Sequence, residues 1–158
     1  MSGVNPDLPK HRPVPALATL SAGAQHPAMS DSVPPTEPHG ELVIRTIAMP
    51  ADTNPSGDIF GGWLMSQMDL GAAIYARNLS RSRVTTVAVD GMAFLTPVSV
   101  GDIVNCYASL LKVGRTSMKI DLEAWVQRGA DGRLLRVTAG VFTYVAIDEN
   151  GRPQAVHR

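Results

Sequence analysis

The sequence predicts an α+β domain in which one long antiparallel β-sheet packs against one long helix. Residues 61–79 have the apolar spacing of a helix and are apolar or small on nearly every side, as a buried helix is. The other apolar stretches have the composition and alternation of β-strands. Hairpin signals between the last of these strands favour antiparallel pairing.

Residues 1–40 differ in composition from the rest of the chain. They contain eight of the twelve prolines, and their apolar residues follow no regular period. A segment of this composition does not bury enough apolar surface to fold by itself. We therefore predict a disordered N-terminal extension over 1–40, a folded domain over 41–153 and a short C-terminal tail over 154–158.

The first predicted strand covers residues 42–48 and ends before Pro50, which cannot continue a sheet ladder. A loop rich in proline and glycine follows over 51–60, and the helix follows over 61–79. Arg77 lies in the last predicted turn of this helix, where a positive charge suits the helix dipole.

Four more strands are predicted after the helix, over residues 84–95, 103–113, 117–126 and 134–147. Gly91 indicates a bulge in the first of them. Strict alternation over 117–126 predicts a half-buried strand with one face in water. A single helix cannot cover both faces of so large a sheet, so we expect a homodimer at least.

The bulk composition excludes several classes of protein. The formal net charge is zero, which does not favour nucleic-acid binding. The single cysteine, Cys106, excludes an intramolecular disulfide and fits a reducing compartment. No stretch approaches the roughly 18 apolar residues of a membrane span, and prolines interrupt the region where a secretory signal would be apolar. We expect a soluble, cytoplasmic protein that binds neither nucleic acid nor membrane.

The histidines narrow the possible chemistry. His11, His26, His39 and His157 all lie in the predicted extension or at the extreme C-terminus. The predicted core therefore lacks a histidine for a Ser-His or Cys-His arrangement and a His/Cys cluster for zinc. No P-loop motif is present either. An enzyme built on this core must work with carboxylates, backbone amides and small polar groups, and we expect no metal.

Asp69 is the most informative carboxylate. On a helical projection it shares a stripe with Gly62, Met65 and several alanines, so small neighbours leave room for a ligand beside it. Two interpretations remain open at this point. Asp69 is either a functional acid on this stripe or an ordinary surface aspartate that pairs with Arg77.

Asp58 and the glycine pair Gly61-Gly62 also allow two interpretations. Asp58 either caps the helix N-terminus or acts in catalysis across a dimer interface. The glycines either simply begin the helix or allow a substrate oxygen close to its free N–H groups, as an oxyanion hole requires.

The other reactive side chains are predicted to have structural or surface roles rather than catalytic ones. Cys106 lies within an apolar strand and has no core histidine to activate it, so core packing is its expected role. The arginines are expected at the solvated surface, with phosphate binding as the alternative. This group consists of Arg77, Arg81, Arg83 and Arg115.

Several stretches together resemble one family. They are AMPADTN at 48–54, GDIFGGWLMSQMD at 57–69, VTTVAVDGM at 84–92, PVSVGD at 97–102, VGRTSM at 113–118 and FTYVA at 142–146. They are similar to the YciA-type acyl-CoA thioesterases, bacterial relatives of the cytosolic brain-type acyl-CoA hydrolases. The resemblance covers residues 41–153.

The resemblance implies the hotdog fold, with the sheet wrapped around the central helix. It implies active sites at a dimer interface and a hexamer built as a trimer of dimers. It makes Asp69 the catalytic acid residue, with Asp58 assisting from the other subunit. It also places coenzyme A contacts at Val87, Ala88 and Val89 and at Arg115, Thr116, Ser117 and Met118.

The activity implied is hydrolysis of acyl-CoA to a free acid and a thiol. Asp69 would act as general base or as nucleophile, and the Gly62 amide would bind the carbonyl oxygen. Coenzyme A is part of the substrate and product, so no separate cofactor is expected. The alternatives are a non-catalytic acyl-CoA sensor and a hotdog dehydratase, but the latter relies on a core histidine. The acyl tunnel is expected to involve Met65, Met68, Met92 and Phe94.

Overall fold

The computed structural model describes residues 35–157. Its elements in chain order are β1 (Glu41–Ile47), α1 (Gly61–Ser80), β2 (Arg83–Phe94), β3 (Ile103–Val113), β4 (Ser117–Arg128) and β5 (Arg133–Ile147), with a short 3-10 turn, Pro50–Asp52, after β1. Within these residues the predicted class, one helix on one antiparallel sheet, is confirmed. The predicted disordered extension lies outside the described residues up to position 34, so that prediction stays open.

The five strands form one antiparallel sheet in the order β1-β3-β4-β5-β2. The strands β1 and β2 therefore lie at its edges. The register of β2 against β5 shifts between Asp90 and Ala93, and Gly91 between them has a φ of 65°. This left-handed conformation suits glycine and confirms the bulge predicted at this position.

The core lies between α1 and one face of the sheet. The helix contributes Leu64, Met68, Ala72 and Ala76, spaced four residues apart, and all four are buried. Gly71 permits the close approach of α1 to β1, because a Cβ added there would lie 2.7 Å from the Val43 Cγ2 atom. The far side of α1 is not covered within the described chain.

The prediction that one face of β4 is exposed to water is wrong over the second half of the strand. Glu123 and Trp125 on this face are 5% and 2% exposed. The Glu123 carboxylate accepts hydrogen bonds from the His39 backbone N–H, the Trp125 Nε1–H and the Arg136 Nη2 atom at 2.9–3.1 Å. Strand alternation showed which residues share this face, but it did not show that an acid–arginine cluster occupies it.

The residues that follow β5 are bonded to the domain. Gln154 N–H donates to the Ala146 carbonyl and Val156 N–H to the Arg115 carbonyl, each at 2.9 Å. The second bond ties the C-terminal segment to the turn between β3 and β4. Over the described residues, no helix combines the length and the apolar character needed to cross a membrane.

Candidate active site

Asp69 lies in the middle of α1 and faces β2 and β5. Its Oδ1 atom accepts hydrogen bonds from the Thr86 hydroxyl and from the Tyr144 hydroxyl, both at 2.7 Å. The Tyr144 hydroxyl also lies 3.1 Å from the Asp69 backbone carbonyl. The second carboxylate oxygen, Oδ2, accepts no hydrogen bond from the described residues and is free for a reacting group. The alternative pairing with Arg77 is therefore absent from this part of the chain.

Tyr144 is fully buried on the inner face of β5. Burial raises the pKa of its hydroxyl far above the usual range, and the hydrogen bond to Asp69 adds to that shift. The hydroxyl therefore remains protonated and donates to Asp69 at any pH near neutral. A fixed donor of this kind sets the orientation of the carboxylate.

The sequence analysis did not assign a role to Tyr144 or Thr86. One signal for Tyr144 was available, because strand alternation places it on the core face with Phe142 and Ala146, and a buried tyrosine needs a hydrogen-bond partner. For Thr86 the deciding fact is that β2 pairs with β5, which puts Thr86 directly beside Tyr144. This pairing is a long-range property that local sequence pattern does not contain.

The helix N-terminus presents two open amides. The N-cap residue is Phe60, with no side-chain cap, and its carbonyl accepts the N–H groups of Trp63 and Leu64. The N–H groups of Gly61 and Gly62 donate to no acceptor among the described residues, as expected for a helix start. Both glycines are exposed, and apart from its chain neighbours and its own helix backbone no described atom lies within 4 Å of a Cβ added at Gly62. A substrate oxygen can therefore approach this amide.

Asp58 lies in the loop before the helix and is not its cap. The loop is held by Asn54, whose Oδ1 accepts the N–H groups of Ser56 and Asp58 and whose own N–H donates to the Asp58 carbonyl. The Asp58 carboxylate is exposed and accepts no hydrogen bond from the described residues. The interpretation of Asp58 as the helix cap is wrong, because Ile59 and Phe60 lie between Asp58 and the start of α1 and Phe60 is the N-cap residue.

The predicted coenzyme A residues lie in two groups, one on β2 and one at the start of β4, on either side of β5. Val87 and Val89 are on the exposed edge strand β2, with Ala88 between them. Ser117 and Met118 are on β4, and β5 separates the two strands. The Met118 side chain is fully buried in the core, which leaves its backbone for ligand contact. Arg115 and Thr116 lie in the turn before β4, where Ala146 N–H donates to the Thr116 carbonyl.

Cys106 packs in the core as predicted, and phosphate binding by the arginines stays an untested alternative. Cys106 is buried in β3, and burial raises the pKa of its thiol to about 12. Arg83 donates to the carbonyls of Asp148 and Glu149. Within residues 35–157, no group of three or more His, Cys, Asp or Glu side chains is placed to hold a metal ion.

An open apolar surface runs along the far side of α1 and the edge of β2. Leu70 and Ile74 on the helix are 55% and 56% exposed, and Val87 on the strand is 54% exposed. The outer edge of β2 pairs with no other described strand. Exposed apolar side chains beside an unpaired edge are typical of a subunit interface.

The chain is similar in sequence and fold to known thioesterases. Residues 56–132 match the profile of the Thioesterase superfamily. The acyl-CoA thioester hydrolase YciA of Salmonella typhimurium is 56% identical over 120 residues, which are 74% of this chain and 90% of that protein. The hexameric thioesterase y2039 from Yersinia pestis has a TM-score of 0.74 at 56% identity, covering 77% of this chain and 99% of that one. HI0827, a hexameric broad specificity acyl-coenzyme A thioesterase, has a TM-score of 0.73 at 54% identity, covering 77% and 84%.

Proposed function

The chain belongs to the YciA-type acyl-CoA thioester hydrolases of the thioesterase superfamily, and from this premise we propose that it hydrolyses acyl-CoA to a free carboxylic acid and coenzyme A. The observation that carries the proposal is the state of Asp69. One of its oxygens is anchored by Tyr144 and Thr86, and the other is free of bonds to the described residues. A carboxylate held in one orientation suits a general base or a nucleophile.

In the proposed reaction the thioester carbonyl oxygen accepts a hydrogen bond from the Gly62 amide at the helix N-terminus. The positive end of the helix dipole stabilises the charge that develops on this oxygen. Asp69 either removes a proton from an attacking water or attacks the carbonyl carbon itself. In both routes the carbon–sulfur bond breaks and the coenzyme A sulfur leaves as the thiolate, which takes up a proton. In the nucleophilic route the acyl group is then bound to Asp69 as a mixed anhydride, and water hydrolyses this anhydride to release the free acid and restore the carboxylate. No cofactor takes part in this proposal, because a carboxylate, an amide and water supply all its steps.

Two copies of the chain complete this site in the proposal. Gly62 and Asp69 are seven residues apart in α1, so about 10 Å of helix separates them. The free N–H groups of the first turn point away from Asp69, toward the helix N-terminus. An oxygen bound to the Gly62 amide therefore lies beyond the first turn, out of reach of Asp69 in the same chain.

A second copy packed antiparallel on α1 removes this difficulty. It would bring its helix N-terminus beside Asp69 of the first copy, and it would cover the exposed Leu70 and Ile74 side chains. We propose such a dimer, with Asp58 of one copy near Asp69 of the other and with coenzyme A bound by the predicted residues of β2 and β4. The related thioesterases named above are hexameric, and we propose the same assembly here. The cytoplasmic location stays a prediction from the sequence.

Replacement of Asp69 tests the proposed role directly. We expect Asp69→Asn and Asp69→Ala to lower kcat for acyl-CoA hydrolysis by roughly 10²–10⁴-fold, the usual contribution of a positioned general base or nucleophile. The rate is measured by thiol release, and thermal unfolding confirms that the fold is intact. Asp131→Asn, a change in the exposed turn between β4 and β5, is the matched control.

Two outcomes would overturn the proposal in different ways. Hydrolysis at nearly the wild-type rate in a folded Asp69→Asn protein would remove Asp69 from the mechanism. Wild-type protein that binds acyl-CoA but releases no thiol would instead identify a non-catalytic acyl-CoA binding protein.

A further inference from the structure

The chain after β5 turns back onto the sheet. The Gly151 N–H donates to the Asp148 carbonyl at 3.0 Å and closes a turn, after which Pro153 forms an isolated β-bridge with Ile147. We call residues 153–157 the C-terminal segment. The reversal places this segment alongside the end of β5.

The C-terminal segment is bonded at both ends and reaches the turn between β3 and β4. Near its start, Gln154 N–H donates to the Ala146 carbonyl of β5 at 2.9 Å. Near its end, Val156 N–H donates to the Arg115 carbonyl in the turn, also at 2.9 Å. The Val156 side chain is partly buried and packs against the hydrophobic core. The bond to Arg115 therefore comes from a segment that is itself anchored.

The bond from Val156 sets the direction of the peptide unit between Arg115 and Thr116. This unit is trans, and in a trans peptide the carbonyl and the following N–H point in opposite directions. Because the Arg115 carbonyl points at Val156, the Thr116 N–H points away from the C-terminal segment. This N–H donates to no acceptor among the described residues.

Bonds from the strands fix the rest of this turn. The Gly114 N–H donates to the Ser117 carbonyl at 2.7 Å, and the Ala146 N–H donates to the Thr116 carbonyl at 2.8 Å. Together with the bond to the Arg115 carbonyl, they hold both carbonyls of the two-residue loop. The Thr116 amide is thus an open donor with a fixed direction, which suits an acceptor oxygen of a ligand.

The turn lies close to the proposed catalytic acid. Met118, Tyr144 and Thr86 lie side by side on β4, β5 and β2. Two members of this row, Tyr144 and Thr86, donate to Asp69. Thr116 is two residues from Met118 and so no more than roughly 7 Å from that row along the chain. A thioester placed at Asp69 therefore has this turn within reach of its coenzyme A part.

We propose that the C-terminal segment is a positioning element for coenzyme A. By holding the Arg115 carbonyl, it directs the Thr116 amide toward an acceptor oxygen of the coenzyme A part of the substrate. This inference rests on the proposed thioesterase function and on the predicted contact of Thr116 with coenzyme A. The amide groups of the pantetheine arm and the phosphates both carry acceptor oxygens. In either case the segment acts on binding and not on cleavage of the thioester.

Val156→Pro tests the proposal because proline lacks the N–H that bonds the turn. We expect the Kd of free coenzyme A and the KM of acyl-CoA to rise roughly three- to tenfold, the usual worth of one hydrogen bond, with kcat within about twofold. Ala155→Pro is the matched control, since the Ala155 N–H donates to no acceptor among the described residues. This control should leave Kd, KM and kcat near their wild-type values.

The experiment combines calorimetric titration with free coenzyme A and steady-state hydrolysis of two thioesters with the same acyl group. One is an acyl-CoA and the other is the matching acyl-pantetheine, which keeps the amides and lacks the phosphates. A rise in KM with both thioesters supports a contact to a pantetheine amide, and a rise with acyl-CoA alone supports a contact to the phosphates. Thermal unfolding identifies a Val156→Pro protein that fails to fold, and Val156→Gly with Ala155→Gly as its control then replaces this pair.

Two results would overturn the positioning role. One is an unchanged Kd and KM in a folded Val156→Pro protein, and the other is an equal rise in Val156→Pro and Ala155→Pro. A fall in kcat at constant KM would contradict it as well. Absence of hydrolysis by the wild type would instead overturn the proposed function. The titration with coenzyme A needs no turnover, so the two failures are distinguishable.

Discussion

At the scale of single residues, the site depends on how one carboxylate is held. Tyr144 and Thr86 donate to the same oxygen of Asp69, each at 2.7 Å, and Tyr144 does so from a fully buried position. These two hydrogen bonds restrict rotation of the carboxylate and leave its second oxygen, Oδ2, without a bond to the described residues. In the proposed mechanism Tyr144 is thus a positioning residue that acts through Asp69.

Loss of the Tyr144 hydroxyl should lower kcat more than it changes KM. A hydrogen bond to a charged group is worth about 1.5–3 kcal/mol, so Tyr144→Phe should reduce kcat roughly 10- to 100-fold and leave KM within about twofold. Steady-state kinetics with one acyl-CoA measure both constants. Tyr107→Phe is the control, since that hydroxyl donates to no described residue and lies on β3. An unchanged kcat with a lowered melting temperature would assign Tyr144 a structural role only.

The residue scale is also where sequence analysis succeeds and fails most visibly. The stripe of small residues singled out Asp69 but left its role open, and the family resemblance then made it the catalytic acid. The glycine pair was likewise open between an ordinary helix start and an oxyanion hole until the resemblance was considered. Asp58 had two possible roles, as a helix cap or in catalysis across a dimer interface. The structure contradicts the cap, because two further residues separate Asp58 from the helix. Tyr144 and Thr86 were missed because their contact with Asp69 depends on the pairing of β2 with β5.

At the scale of elements, the loop between β2 and β3 matters because it bonds to the residues that precede α1, where Ile59 N–H donates to the Val98 carbonyl at 3.0 Å. Asp102, at the end of this loop, accepts hydrogen bonds from Arg128 Nε at 2.9 Å, from Arg128 Nη2 at 2.6 Å and from the Ser99 N–H at 2.8 Å. Arg128 Nη2 also donates to the Pro97 carbonyl. This pair, in which the Asp102 carboxylate is buried and the Arg128 side chain is partly exposed, therefore connects the loop to the end of β4.

The pKa of Asp102 gives this connection a pH dependence. Burial acts to raise that pKa, but the hydrogen bonds from Arg128 and Ser99 outweigh burial and hold it below the ordinary value of 3.8. The stabilisation is fully present above that value and is lost as the pH falls through the lower pKa of the folded state. We expect Asp102→Asn to cost about 2 kcal/mol of unfolding free energy at pH 7 and progressively less in acid.

Denaturant unfolding at fixed protein concentration, from pH 7 to pH 3, measures this difference. Asp131→Asn serves as the control for removal of an exposed carboxylate. A constant difference between wild type and Asp102→Asn across this range would contradict the assignment of the pH dependence to Asp102.

The order and type of the elements could be predicted from the sequence. A stretch of 19 residues with the apolar spacing of a helix and several long stretches with the alternation of strands are strong local signals. The strand order β1-β3-β4-β5-β2 did not follow, since it is set by which strands cover the helix. The outer face of β4 shows the same limit. Glu123 and Trp125 alternate as a wet face would, yet both are buried around the Arg136 side chain.

At the scale of the whole molecule, the two parts of the proposed catalytic site lie too far apart in one chain to act on the same carbonyl group. Its open amides lie at the N-terminus of α1, and its anchored acid lies about two turns further along. The exposed Leu70 and Ile74 side chains and the unpaired edge of β2 border this same region. The central claim is therefore that two copies share each site, with Gly62 from one and Asp69 from the other.

Subunit complementation tests this claim most directly. Asp69→Asn removes the acid, and Gly62→Pro removes the amide donor at a first-turn position where proline is tolerated. Co-expression of the two inactive variants with different tags produces mixed dimers, and random pairing makes half of all dimers mixed. In each mixed dimer, one of the two sites combines an intact Gly62 with an intact Asp69.

The measurement is kcat of the co-expressed, unselected protein with one acyl-CoA substrate that the wild type hydrolyses. Sites shared between copies predict recovery to about a quarter of the wild-type kcat, since half of the dimers carry one whole site out of two. Activity no greater than that of the two variants prepared separately, from protein shown by its tags to contain mixed dimers, would contradict the shared site.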